Sequence, residues 1–410
     1  MRTDLVPVPE ALDMVLADAA PHGEETVSLG EAAFRVLSRD LAARRTQPPF
    51  AASAMDGYAV RASDVTETPV ELSVIGQAAA GHPFTRRVGA GEAVRIFTGA
   101  PLPDGADTIV IQEDATASDD RVIVREAGRP GRHVRPAGLD FSRGDVLLRR
   151  GSVLAPQLLA LAASMNHARV PVFSRPKVAL IATGDELVSP GDTLGEGTII
   201  ASNTFGIAAI VKAAGGEVVD LGIVADNAEA LATAFVKAMA AGARLIVTTG
   251  GASVGDHDLV KPVLLSLGAR LAFEKLAMRP GKPMISARIE RDGEIVRVLG
   301  LAGNPVSSLV ASSVFLRPLV SLMAGLPAQR VRPVPAVLGC TVPANDVRED
   351  YVRATAIRRA DGVIEVEPLP RQDSSMLSYL ARADALLIRP VNAPPADKGA
   401  PCFAILLRDI

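Results

Sequence analysis

Apolar residues recur at helical spacing over residues 8–19 and again over 29–41, with Pro21 and Gly23 between them and Thr46-Gln47-Pro48-Pro49 closing the pattern. The spacing predicts two helices in a helical part over 1–45. From residue 50 to residue 138 the texture changes to short β-rich runs, at 71–75, 93–97 and 108–112, separated by Gly and Pro. Helical spacing returns over 154–165, followed by a β-rich run at 170–173. The helical part therefore reads as discontinuous, 1–45 plus 139–176, with a β domain over 46–138 inserted into it.

Residues 177–326 alternate between the two periods. Strands are predicted at 178–182, 218–221, 245–249 and 270–276, with a further pair around Asp292-Gly293. Helices are predicted at 205–214, 228–241, 259–267 and 305–322, the first capped by Asn203 or Thr204 and ended by Gly215-Gly216. Such alternation predicts a doubly wound, mostly parallel α/β domain with helices on both faces. Polar clusters follow the strand ends: Thr183-Gly184-Asp185-Glu186, Asp226-Asn227, Arg279-Pro280-Gly281-Lys282-Pro283 and Gly303-Asn304-Pro305-Val306-Ser307-Ser308. In an open α/β sheet the carboxyl ends of strands share one edge, so these segments should converge on one crevice. Beyond the proline-rich Arg332-Pro333-Val334-Pro335, β runs at 336–340, 351–357, 363–367, 385–388 and 403–407, with Asp361-Gly362 as a hairpin turn, make a small β domain over 327–410.

Composition narrows the classes. A chain of 410 residues exceeds what one core usually supports, and 48% hydrophobic with 22% charged residues is globular. A net charge of −3 gives no reason to expect nucleic acid, and 3% aromatic residues with no Trp leave few stacking platforms. Two cysteines fit a reducing compartment. With no leader-like N-terminus and no run of about 18 apolar residues, the chain reads as cytoplasmic, with no membrane partner.

The candidate chemistry centres on residues 245–258, where an apolar strand breaks into Thr248-Thr249-Gly250-Gly251-Ala252-Ser253-Val254-Gly255-Asp256-His257-Asp258. Gly250, Gly251 and Gly255 would let backbone N–H groups approach an oxyanion, and Thr248, Thr249 and Ser253 would add hydroxyl donors. No Gly-Lys-Ser/Thr follows, so this is not a Walker loop. The crevice would gather Asp185, Glu186, Asp226, Asp256 and Asp258 with Lys261, Arg279 and Lys282. Carboxylates mixed with cations suggest a divalent cation beside an anion, and Mg²⁺ suits carboxylates and phosphates, since the five scattered histidines offer no zinc set. Bland readings stand beside these: Asp226-Asn227, Asp256 and Asp258 also read as helix caps, Asp56 as a turn residue, and 279–283 as a rigid turn.

Six ordered motifs add a resemblance that covers nearly the whole chain. Ser53-Ala54-Met55-Asp56-Gly57-Tyr58-Ala59-Val60, Arg95-Ile96-Phe97-Thr98-Gly99-Ala100-Pro101-Leu102-Pro103, Ala182-Thr183-Gly184-Asp185-Glu186-Leu187, the stretch Thr249 to Asp258, Pro280-Gly281-Lys282-Pro283 and Gly303-Asn304-Pro305-Val306-Ser307 resemble the molybdopterin molybdenumtransferases, the molybdenum insertases related to the gephyrin E domain. The resemblance implies a four-part subunit ending in a β barrel, and a homodimer in which the N-terminal half of one subunit reaches over the other's crevice. The activity implied is Mg²⁺-dependent insertion of molybdate into adenylylated molybdopterin, supplied by the upstream adenylyltransferase, with release of AMP. Asp56, Thr98, Glu186, Asp226 and Asp258 would act on metal and pyrophosphate, with Glu186, Asp226 and Asp258 as the metal set. Thr183, Gly184, Gly250, Gly251, Ser253 and Gly255 would line the ligand site. Arg279, Lys282 and Ser307 would form the molybdate pocket, with Arg353 and Ser375 as contributions from the C-terminal domain. Departures from the family pattern are Ala51-Ala52 for polar residues, Arg279 for a frequent Lys and Ala302 for a frequent Pro, and they leave molybdate and tungstate both open as the oxyanion. The competing readings are a pterin-binding scaffold without turnover, and an adenylyltransferase or nucleotide amidohydrolase on a similar α/β domain.

Overall fold

The computed structural model describes residues 5–251, 259–291 and 293–410. Two compact units are present, one comprising Met1–Glu25 with Phe173–Ile410, the other Thr26–Val172. Asp292, at the expected hairpin turn, lies outside the described residues, as do Ser253, Gly255, Asp256 and Asp258.

The first unit begins with α1 (Val8–Leu16), which buries Val8, Ala11 and Val15. It stops three residues short of the expected end. Arg297, buried in the sheet, donates to the carbonyls of Val15 (3.1 Å) and Ala17 (2.7 Å), acceptors that a helix C-terminus leaves free. Burial, with repulsion from Arg288 second, brings the Arg297 pKa down to about 10.

Strand and helix then alternate: β1 (Lys177–Thr183), α2 (Asn203–Ala213), β2 (Glu217–Val224), α3 (Ala228–Ala240), β3 (Leu245–Thr249), α4 (Val260–Ser266), β4 (Arg270–Lys275), β5 (Pro283–Arg291), β6 (Glu294–Leu301) and α5 (Pro305–Met323). The sheet order is β2-β1-β3-β6-β5-β4, parallel through the first four strands and antiparallel at β6-β5 and β5-β4. Alternate residues feed opposite faces, as the two-residue strand period requires. Val178, Leu180, Leu245 and Val247 pack with α2, α5 and α1, whereas Ala179, Ile181 and Ile246 pack with α3 and α4. The expected doubly wound α/β domain is present. By length and composition α5 could cross a membrane, but 78% of its most apolar window is buried inside the protein, with Phe315 and Leu316 in the core.

The chain continues into β7 (Val334–Leu338), β8 (Glu349–Arg358), β9 (Ile364–Pro368), α6 (Leu377–Arg382), β10 (Ala385–Arg389) and β11 (Pro401–Leu406). The ladder β8-β9-β7-β11-β10 closes because β8 also pairs with β10, which makes a five-stranded barrel. A short extension, Met278–Arg279, adds in parallel to Glu349 and Asp350 at the start of β8.

In the second unit a six-stranded sheet runs in the order Thr108–Ile111, Gly57–Val60, Glu92–Ile96, Val70–Ala78, Arg121–Val124, Ala115–Ser118. The helix expected over 29–41 is absent. Ser28 and Glu31 form a capping box, but the turn ends after Leu29–Glu31. The backbone then bonds to the returning segment instead: Phe34 N–H to Leu154, Leu37 N–H to Ser152 and Ser38 N–H to Pro171. Phe34, at φ 59, is left exposed. Tertiary pairing has overridden a local helical pattern here. The helix expected over 154–165 forms as Pro156–Ser164.

Candidate active site

The carboxyl ends of β1, β2, β3 and β6 meet at a crevice of ≈ 610 Å³, at the reversal of strand order where open α/β sheets bind ligands. Thr183 and Thr249 form its floor, and Leu187, Ile199 and Ile200 an apolar side. Two helix N-termini open onto it, α2 at Asn203 and α5 at Pro305; the first turn of α2 offers free backbone N–H groups, whereas in α5 Pro305 has none and the Val306 N–H donates to the Ser374 carbonyl. Asn203 does not cap its helix. Its Nδ2 donates to the Gly303 carbonyl (2.7 Å) and so ties α2 to the loop before α5.

The loops are braced by their own polar groups. Thr183 Oγ1 donates to Asp226 Oδ1 (3.1 Å), and the Asp226 N–H donates to Asp185 Oδ1 (2.9 Å). Asp226 therefore lies in the crevice, while the neighbouring Asn227 caps α3 by accepting from Ala230 N–H at 2.9 Å. Glu186 folds back over Gly184, where a Cβ would come within 2.6 Å of its carboxylate. Gly250 serves a purpose different from the expected one. Its N–H donates to the Leu301 carbonyl (3.2 Å), so it is spent within the sheet, and a Cβ there would lie 2.2 Å from the Thr183 carbonyl oxygen. Close backbone approach, not anion binding, demands that glycine.

The cations sit elsewhere. Among the described residues no Lys or Arg lines the crevice. Lys261 pairs with Glu274. Arg279 is turned to the barrel: Nε and Nη2 meet the Asp350 carboxylate, Nη1 donates to Asp346 (2.9 Å), and Nη2 also donates to Asn345 Oδ1 (3.0 Å). Asp350, above all through hydrogen bonding, pushes the guanidinium pKa up. Lys282 directly precedes Pro283, which does line the crevice. Ser307 is buried in the first turn of α5. Arg353 is only 2% exposed and holds Gln372 and the Asp373 carbonyl (2.7 Å). Ser375 reaches the crevice, with its N–H (2.8 Å) and Oγ (2.6 Å) donating to Asp373 Oδ1. Its neighbour Ser374 accepts from Asn304 Nδ2 and from Val306 N–H, so the barrel is stitched to the start of α5.

Asp56 and Thr98 belong to the second unit. Pairing of Gly57 with Ile96 sets the residue before one strand beside the residues after the other. Thr98 donates to Asp56 Oδ1 through its N–H (2.7 Å) and its Oγ1 (2.8 Å). These bonds, backbone first, hold the Asp56 carboxyl below the usual range, with Arg95 adding attraction. A Cβ on Gly57 would lie 2.0 Å from the Val110 carbonyl oxygen, which explains the glycine after Asp56. Sequence reasoning passed over Arg95: it lies over the Tyr58 and Phe97 rings, at 5.0 and 5.1 Å, and donates to Gly57 O and Gln112 Oε1. Its signal was the alternation Arg95-Ile96-Phe97, which sets Arg95 and Phe97 on one face.

Comparisons with known proteins agree with this architecture. Residues 6–166 match the MoeA N-terminal region (domain I and II), 179–321 a probable molybdopterin binding domain, and 335–407 the MoeA C-terminal region (domain IV). A molybdopterin molybdenumtransferase of Haemophilus influenzae is 35% identical over 370 residues, 90% of either chain. The chain belongs to the molybdopterin molybdenumtransferase family. Its Bacillus subtilis relative of that name is 32% identical over 412 residues, 98% of this chain and 94% of that one. A solved molybdopterin biosynthesis MoeA protein from Pyrococcus horikoshii superposes with a TM-score of 0.83 at 29% identity, covering 99% of this chain and 100% of that one. Membership makes the chain an enzyme of this family.

For Mg²⁺, the donor set is the test. Among the described residues no group of three His, Cys, Asp or Glu is placed to hold a metal. Mg²⁺ needs fewer, because it keeps several waters and takes one or two carboxylates plus phosphate oxygens. Glu186 and Asp226, both exposed at the crevice, meet that need.

Proposed function

We propose that this chain inserts molybdate into adenylylated molybdopterin, releasing AMP and forming molybdenum cofactor, with Mg²⁺ required. The observation that carries the reading is the convergence of four strand ends, two helix N-termini and the barrel's Ser375 on one crevice that also holds Glu186 and Asp226, in a chain of this family. Phosphate oxygens of the substrate bind at the N-terminus of α2, whose unpaired N–H groups and dipole favour negative charge, with the dipole of α5 adding to it. The pterin lies along the apolar Leu187–Ile199 side. Glu186 and Asp226 hold Mg²⁺, with Asp258 the third member of the set. When bound, the metal withdraws charge from the phosphoanhydride that is cleaved. Molybdate, a tetrahedral dianion, sits between Ser375, the start of α5 and Lys282. Asp56, kept ionised by Thr98, acts on the same substrate in a homodimer. The adenylylated pterin comes from the upstream adenylyltransferase, in the cytoplasm.

The test combines purified full-length chain with adenylylated molybdopterin, Mg²⁺ and molybdate, and follows AMP and cofactor by chromatography. AMP and cofactor should appear in equal amounts, only with molybdate and Mg²⁺ present and without ATP. Pterin binding with no AMP would make the chain a scaffold, and ATP consumption an adenylyltransferase. Either result overturns the proposal.

A further inference from the structure

We infer that Arg279 is not an oxyanion ligand in this chain but a positioning residue, a latch that registers the C-terminal barrel against the α/β sheet and so holds Pro283, the residue after Lys282, and Ser375 at one crevice. The inference rests on the proposed molybdate insertion for its kinetic consequences, and on geometry for the latch itself.

Every nitrogen of the guanidinium is engaged: Asp350 takes Nε and Nη2, Asp346 takes Nη1, and Asn345 Oδ1 takes Nη2. Asn345 is itself fixed, since its Nδ2 donates to the carbonyls of Arg348, Arg389 and Pro390. The backbone follows the same line. Met278 and Arg279 pair with Glu349 and Asp350, the Glu349 N–H reaches the Ala277 carbonyl (2.9 Å), and the Ala277 N–H reaches Val6 (2.8 Å). At the other end of the loop, Leu276 N–H donates to the Lys282 carbonyl (2.8 Å), so the segment that bears Lys282 is closed on itself and clamped to β8. The barrel is also attached through Ser374, beside Ser375, and through Tyr351, Leu386 and Ile405, which pack in one core with α1 and α5. A planar five-donor fork can serve a bidentate carboxylate and two further acceptors together, whereas an ammonium is a point charge with three donors. Arg at this position and the acceptors Asp346, Asp350 and Asn345 therefore form a matched set.

The two roles predict opposite signs for Asp350→Asn. As a latch, Arg279 loses its chief partner and the loop loosens. As an oxyanion ligand, Arg279 is released from a competing carboxylate and the molybdate requirement falls. We would compare full-length wild type, Arg279→Lys, Asp350→Asn and the double variant by backbone hydrogen exchange over 276–282 and 374–376, and by kcat and KM for molybdate. The latch predicts that each single variant speeds exchange in both segments and lowers kcat, by about tenfold, within the range for groups coupled in one ion-pair network. Molybdate KM should rise by less than about threefold, and the double variant should be no worse than either single one. Unchanged exchange in both single variants, or a lower molybdate KM in Asp350→Asn, overturns the latch. Exchange needs no turnover, so a wild type that makes no cofactor would sink the proposed function while leaving this inference to be decided by the exchange data.

Discussion

Replacing Gly250 with alanine isolates the contact on which the crevice floor depends. The new Cβ would lie 2.2 Å from the Thr183 carbonyl oxygen, about 1 Å inside an ordinary carbon–oxygen approach. Its obstacle is backbone at the end of β1, a buried parallel strand, and no flexible side chain can swing aside. The residue also sits at φ +92, where an L side chain costs about 1–2 kcal/mol. Overpacking a fixed neighbour adds roughly 1–3 kcal/mol. Together these give about 2–5 kcal/mol, a drop on the order of 10 °C in the melting temperature of a unit this size. Turnover should fall further than stability, because parting β1 from β3 by about 1 Å misplaces Thr183, Glu186 and Asp226, and such a shift can cost about a hundredfold. Gly303→Ala is the control: it has no positive φ, and the nearest heavy atom to its Cβ is Gly250 Cα at 3.7 Å. Its stability should change by no more than about 0.5 kcal/mol. Thermal unfolding of both variants, with the AMP assay alongside, makes the comparison. Should Gly250→Ala melt and turn over like wild type, the two loops part without cost and the account of the crevice floor is wrong.

Two further outcomes follow from polar contacts. Asp56 has a folded-state pKa depressed below its unfolded value, so the stabilisation from Thr98 is present above the unfolded pKa and is lost as pH falls through the folded one. Thr98→Val keeps the backbone bond, the larger cause, and removes the hydroxyl, so a carbon-detected NMR titration should show the Asp56 pKa partly raised; an unchanged value would remove the hydroxyl from the account. Arg353→Met removes a buried guanidinium that donates to Gln372 and the Asp373 carbonyl on the loop after β9, charge-assisted bonds whose loss should cost about 1–3 kcal/mol in urea unfolding, and a change near zero would mean that the loop is held without them.

The crevice was legible before the structure for a physical reason. Parallel strands buried on both faces are continuous apolar runs, so the residue at which each run turns polar marks the sheet edge, and Thr183, Asp226, Gly250 and Gly303 were placed there by that rule alone. Segment 29–41 failed for the converse reason: its helical spacing is real, but its N–H groups are claimed by a segment more than a hundred residues further on, and no local pattern records that. The setting of the Arg279 charge was hidden in the same way. Arg279, at a strand's carboxyl end, reads as an anion ligand until its acceptors are known, and these are 67 and 71 residues downstream in the barrel. The same sequence also bears the reason for its position, since Asp346 and Asp350 would leave an oxyanion facing two carboxylates at that guanidinium. A residue's charge thus predicts its ligand only after the opposite charges competing for it have been placed, which is why Asp350→Asn, rather than any change to Arg279 itself, separates the two roles by sign.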